Sequence, residues 1–123
     1  AGAVLPEPDG DPDVAEARQA IDTGRYALGL DLLQAALARL PGDPDLLVYV
    51  AFAHRRSGRA EAALAAYGEA LARDPTHPGA LAYQGGLYIE LGRRADAEAN
   101  LARLRAACPG CAETETLARD LAR

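Results

Sequence analysis

The sequence predicts an all-α protein, a solenoid of seven helices, and three observations predict it. Sliding the stretch 44–77 by 34 residues in either direction reproduces its punctuation, with turn glycines at Gly24, Gly58 and Gly92 and closing prolines at Pro41, Pro75 and Pro109. Small residues share one column at Ala17, Ala51 and Gly85 and another at Gly29, Ala63 and Ala97. Large apolar residues share a third at Leu33, Tyr67 and Leu101. A unit of this length cannot bury its own apolar face and must stack on a neighbour, so a fixed period of this size marks a repeat array.

Residues 1–10 carry Pro6, Pro8 and Gly10 among Glu7 and Asp9 and read as an extended N-terminal arm; the rest, 11–123, reads as one domain. The spacing of Asp9, Asp11 and Asp13 hints at a calcium loop, but Pro12 and the lack of a downstream glutamate break that motif. Asp11 instead reads as the cap of a helix with Pro12 in its first turn. The same start recurs at Asp43-Pro44 and, more weakly, at His77-Pro78.

Helices are therefore expected near 12–23, 26–39, 44–57, 60–73, 78–91 and 94–107, in three repeats spanning 10–43, 44–77 and 78–111. Within each pair a glycine supplies the left-handed turn that ends the first helix. Beyond Pro109, Leu117, Ala118 and Leu121 form one apolar stripe, which suits a seventh, capping helix over 112–123.

The pattern Leu47, Val50, Ala51, His54, Ala63, Tyr67, Ala70, Pro75 in the central copy resembles the tetratricopeptide repeat. The third copy repeats it as Leu81, Gln84, Gly85, Tyr88, Ala97, Leu101, Leu104, Pro109. The first copy keeps Ala17, Gly29, Leu33, Ala36 and Pro41 but carries Asp13 and Glu16 where apolar residues are usual, as suits an outer repeat facing water on one side. The resemblance implies a right-handed superhelical stack of antiparallel helix pairs, and it places His54 inside, where the family has a packed aromatic.

Composition narrows the function. The net charge is −5, and all 13 basic residues are arginine. Without a basic stripe to neutralise phosphates, nucleic acid is not an expected partner. No stretch approaches the roughly 20 apolar residues that span a bilayer, so no membrane span is expected. The opening Ala1-Gly2-Ala3 fits either a mature end left by signal-peptide cleavage or a chain trimmed for expression.

Catalytic constellations are missing. Ser57 is the sole serine and sits at a helix end, and acid pairs such as Asp96 and Glu98 read as solvated surface. Cys108 and Cys111, in Cys-Pro-Gly-Cys, admit three readings: a local disulfide pinning the cap in an oxidising compartment, a redox-active dithiol, or a metal pair joined by His77. Cys108 and Cys111 are expected to be bonded to each other, and no metal or cofactor is expected.

The resemblance also implies a concave surface lined by the first helix of each pair. It would carry an apolar path through Val14, Ile21, Val48, Phe52, Ala82 and Ile89, flanked by Arg18, Arg55 and Arg56, with Gly86 leaving room beside Phe52 for a ligand to enter. A contiguous apolar path marks a partner site, unless the cap or the arm covers it. The family's chaperone-binding subgroup grips a C-terminal carboxylate with lysines and asparagines. This chain has Val14, Arg18, Val48, Phe52, Ala82 and Gly86 in those places, so that activity is not carried over.

The expected function is a non-catalytic interaction module that holds a peptide segment or helix of a partner protein, apolar in its middle and carrying an acidic group near the arginines. The alanine- and arginine-rich composition and the cysteine pair suggest the bacterial periplasm. Small periplasmic members of the family are similar to this chain and act as adaptors or assembly factors, for example in cytochrome maturation or envelope assembly. Rival readings are a thiol-redox or metal-handling factor built on Cys108 and Cys111, and a scaffold that forms homo-oligomers through the solenoid ends.

Overall fold

The computed structural model describes residues 11–123. Seven helices follow one another: α1 (Pro12–Asp22), α2 (Tyr26–Arg39), α3 (Pro44–Arg56), α4 (Ala60–Arg73), α5 (Pro78–Glu90), α6 (Arg94–Ala107) and α7 (Ala112–Ala122). No strand occurs among the described residues. The arm expected over 1–10 lies outside them.

The first helix of every pair starts the same way. Asp11 accepts a hydrogen bond from the Asp13 amide at 2.9 Å and Asp43 one from the Leu46 amide at 3.2 Å, each followed by a proline that needs no partner for a missing N–H. In the third repeat His77 does this work through its ring, Nδ1 accepting from the Ala80 amide at 3.1 Å. Because Nδ1 accepts, the ring proton resides on Nε2, which donates to Asp45 Oδ1 at 2.6 Å. One imidazole thus caps α5 and ties it to the first turn of α3. Each pair turns at a glycine with positive φ, 82° at Gly24, 83° at Gly58 and 75° at Gly92.

The helices close on the predicted columns. Ala17, Ala51, Ala63 and Ala97 are fully buried, as are Leu33 and Tyr67, and Leu101 is nearly so. In the first repeat the helices approach so closely that a β-carbon on Gly29 would fall 2.8 Å from Ile21 Cγ1. α3 lies against α1, α2, α4 and α5, so eight successive residues from Leu46 to Ala53 are buried. A second cluster of Leu81, Ala97, Leu101, Leu104, Leu117 and Leu121 joins the third repeat to α7. Its polar members are matched, the Asn100 side-chain amide donating to the Leu81 carbonyl at 3.1 Å and to Gln84 Oε1 at 2.9 Å.

The outer end departs from the apolar pattern for a visible reason. Arg39, at the end of α2, bridges Asp11 and Asp13 at the start of α1 at 2.8 and 2.9 Å, and this hydrogen bonding holds the Asp11 carboxyl below the ordinary carboxylate value.

His54, expected inside, is half-buried, although its Nδ1 is shut off from solvent with no hydrogen-bond partner. Burial first and the charge of Arg59 second depress its pKa from the ordinary 6.5.

Ala63→Leu forces a larger side chain into a fully buried column and should destabilise the fold by about 1–3 kcal/mol in urea denaturation. His54 binds a proton less readily folded than unfolded, so its contribution is fully present above pH 6.5 and is lost as pH falls through the depressed folded value. Denaturation midpoints measured from pH 7.5 down to pH 5 should therefore fall less steeply for His54→Gln than for the wild type.

Candidate functional site

A cavity of about 300 Å³ lies between the first helices of the second and third repeats and the capping helix. α3 contributes Phe52, Arg55 and Arg56; α5 contributes Ala82, Tyr83, Gly86 and Glu90; α7 contributes Ala112, Glu113, Thr116 and Asp120. Its floor is aromatic: the rings of Phe52 and Tyr83 meet edge to face with centroids 5.7 Å apart, and the Arg56 guanidinium stands 5.6 Å over Phe52.

The structure brings together only part of the expected groove. Phe52, Arg55, Arg56, Ala82 and Gly86 line the cavity. Val14, Ile21 and Val48 do not, being 3%, 2% and 0% exposed in the core. The close approach at Gly29 lets Ile21 lie on α2, and α3, packed among four helices, has no water-facing apolar stripe for Val48 to occupy. Ile89 packs with the cluster around Leu117, and Arg18 is half-buried and engaged. The continuous apolar path is thus replaced by one pocket at the α7 end.

Phe52 and Gly86 also differ from expectation. Phe52 is 7% exposed and shows the pocket little more than part of its ring. The space over Gly86 is filled by Arg55, whose Nη2 lies 3.1 Å from where a β-carbon would sit. That guanidinium ion-pairs with Glu90 and donates from Nη1 to the Tyr83 carbonyl at 3.0 Å. With only 17% of its side chain exposed, Arg55 is a strut between α3 and α5. It also stands beside the Tyr67 hydroxyl, whose pKa burial pushes up to about 12 while the Arg55 charge works in the opposite direction.

The wall on α7 was not legible in the 34-residue register, because the cap lies outside it. Its position depends on Gly85. A β-carbon there would fall 2.8 Å from both methyls of Leu117, a side chain 1% exposed, so the bare backbone of α5 is what Leu117 packs upon. The spacing of Glu113, Thr116 and Asp120, three and then four residues apart, turns all three to the pocket. That spacing is a helical-face signal that the sequence itself carries.

At the start of α7, Cys108 and Cys111 are drawn together, their α-carbons 5.5 Å apart, within the span of a disulfide. The Thr114 hydroxyl donates to the Cys108 carbonyl at 2.7 Å and fastens the first turn of α7 to the end of α6. His77 does not join the cysteines, since both its ring nitrogens are committed to Ala80 and Asp45. Among the described residues no group of three metal-capable side chains gathers.

Two family models described as tetratricopeptide repeat match the chain, one over residues 14–78 and the other over 54–121. The chain belongs to the tetratricopeptide repeat family. Solved structures of other members superpose on it closely. The first tetratricopeptide domain of human RPAP3 has a TM-score of 0.79 at 18% identity, over 89% of this chain and 87% of that one. PcrH, solved with the chaperone binding region of PopB, has 0.76 at 17%, over 97% and 98%. The Yersinia enterocolitica type III secretion chaperone SycD, solved with a peptide of the translocator YopD, has 0.76 at 16%, over 89% and 84%. At these identities the likeness is one of fold. No curated protein matches the sequence.

The strut and the small column give the third prediction. Arg55→Ala removes a charged hydrogen-bond pair that is half open to water on the Glu90 side, and should cost about 1–2 kcal/mol. Gly85→Leu should cost about as much as a buried overpacking, roughly 1–3 kcal/mol, and should raise hydrogen exchange selectively in α7.

Proposed function

We propose that this chain is a non-catalytic adaptor that holds a segment of a partner protein in the pocket between α3, α5 and α7. The observation that carries this reading is the pocket itself: an aromatic floor, charged walls and an open mouth at the concave side of a tetratricopeptide array. Aromatic anchors with polar rims are how protein segments are commonly held. The tetratricopeptide structures of similar fold solved with bound peptides lend support by analogy.

A setting in the bacterial envelope, in assembly or protein maturation, is part of the proposal. It is supported by the close Cys108 and Cys111 pair, which an oxidising compartment would keep bonded. In this reading the pair pins the cap rather than transferring electrons.

Two experiments test these statements. A photo-crosslinking amino acid replacing exposed Thr116 should capture a partner in cells of the source organism, whereas the same amino acid at exposed Glu69 on α4 should not; equal capture from both positions would move the binding surface elsewhere. Protein recovered from the cell envelope and alkylated without reductant should keep its unmodified mass, since bonded cysteines do not react. Two alkyl adducts there would show free thiols and return the redox reading to first place.

A further inference from the structure

We infer that the pocket between α3, α5 and α7 selects a basic side chain, a lysine or arginine of the bound segment. This rests on reading the pocket as the partner site and adds the chemistry of what enters it.

Of the two arginines at the pocket, Arg55 is neutralised by Glu90 and directed at the Tyr83 carbonyl, which leaves it no share in holding an acidic ligand. Arg56 stands over the Phe52 ring. On the opposite wall Glu113 and Asp120 project from α7 two helical turns apart, roughly 10 Å along the axis, with the Thr116 hydroxyl between them. Neither carboxylate takes part in any ion pair or side-chain hydrogen bond among the described residues.

The pocket therefore presents two uncommitted carboxylates beside an aromatic floor. A lysine or arginine side chain satisfies both halves at once: its methylene stem lies along Tyr83 and Ala82, and its charged head reaches the α7 wall. An acidic side chain would meet that wall with like charge, and an apolar one would leave it solvated but unused. The net charge of −5 favours the encounter with a basic segment over its acidic counterpart as well.

The test uses the full chain and capped five-residue peptides of the pattern alanine, leucine, X, leucine, alanine, with X as lysine, arginine, glutamine or glutamate. Binding is read from the amide chemical shifts of Glu113, Thr116 and Asp120. The lysine and arginine peptides should bind at least about fivefold tighter than the glutamine one, and the glutamate peptide weakest. In a Glu113→Gln, Asp120→Asn variant with unchanged melting temperature the preference should vanish while the glutamine peptide binds as before. Equal binding of lysine and glutamine peptides, or a preference surviving in the double variant, overturns the inference. If either happens while the crosslinker at Thr116 still captures a partner, the adaptor reading stands and the charge selection alone has failed. If no peptide shifts the pocket amides and Thr116 captures nothing, both fall together.

Discussion

The structure depends on how closely paired helices approach at columns that admit no side chain larger than a methyl group. Ala17 and Gly29, Ala51 and Ala63, and Gly85 and Ala97 are all buried, and they bring backbones near enough for the large residues beside them, Leu33, Tyr67 and Leu101, to seal each repeat against the next. Aromatics are few in this chain, so stability comes from many small contacts at interior density rather than from bulky anchors. Enlarging one column member displaces helices that carry the rest of the array.

The same constraint builds the site. At Gly85 the small column loses even its methyl group, and Leu117 of the cap comes down onto the bare backbone. α7 thereby takes the position of a further repeat's first helix and turns Glu113, Thr116 and Asp120 into the wall of a pocket that α3 and α5 alone would leave open. The adjacent glycine has a different partner: Gly86 accommodates the Arg55 guanidinium, and with it the link between α3 and α5. Two neighbouring glycines, each costing about 1 kcal/mol of helix propensity, are thus explained by two separate close approaches, one that seats the cap and one that seats a strut.

Charge follows from packing in the same way. Arg39, Arg55 and His77 each tie one helix to another, and each spends its hydrogen-bonding capacity inside the fold. Counting cationic residues along the groove therefore overstates what a ligand meets. After these internal pairs are formed, the pocket is left with Arg56 over the Phe52 ring and two carboxylates contributed by the cap.

The sequence by itself determined the class, the number of helices and nearly every boundary, because glycine turns, proline starts and small columns are local or strictly periodic requirements that recur at one spacing. It determined the caps at Asp11 and Asp43 for the same reason, and it marked Phe52, Arg55, Arg56, Ala82 and Gly86 as neighbours of one surface. Only the tertiary structure decided what that surface exposes. Val14, Ile21 and Val48 sit at lining positions of the register, yet they are buried, since exposure depends on how many helices surround α1 and α3 and on the approach that Gly29 permits. The role of Arg55 and the arrival of Glu113, Thr116 and Asp120 depend on contacts between residues far apart in the chain. A periodic pattern specifies which residues share a face, but the solvent and the partners of that face are set by the helices that finally pack against it.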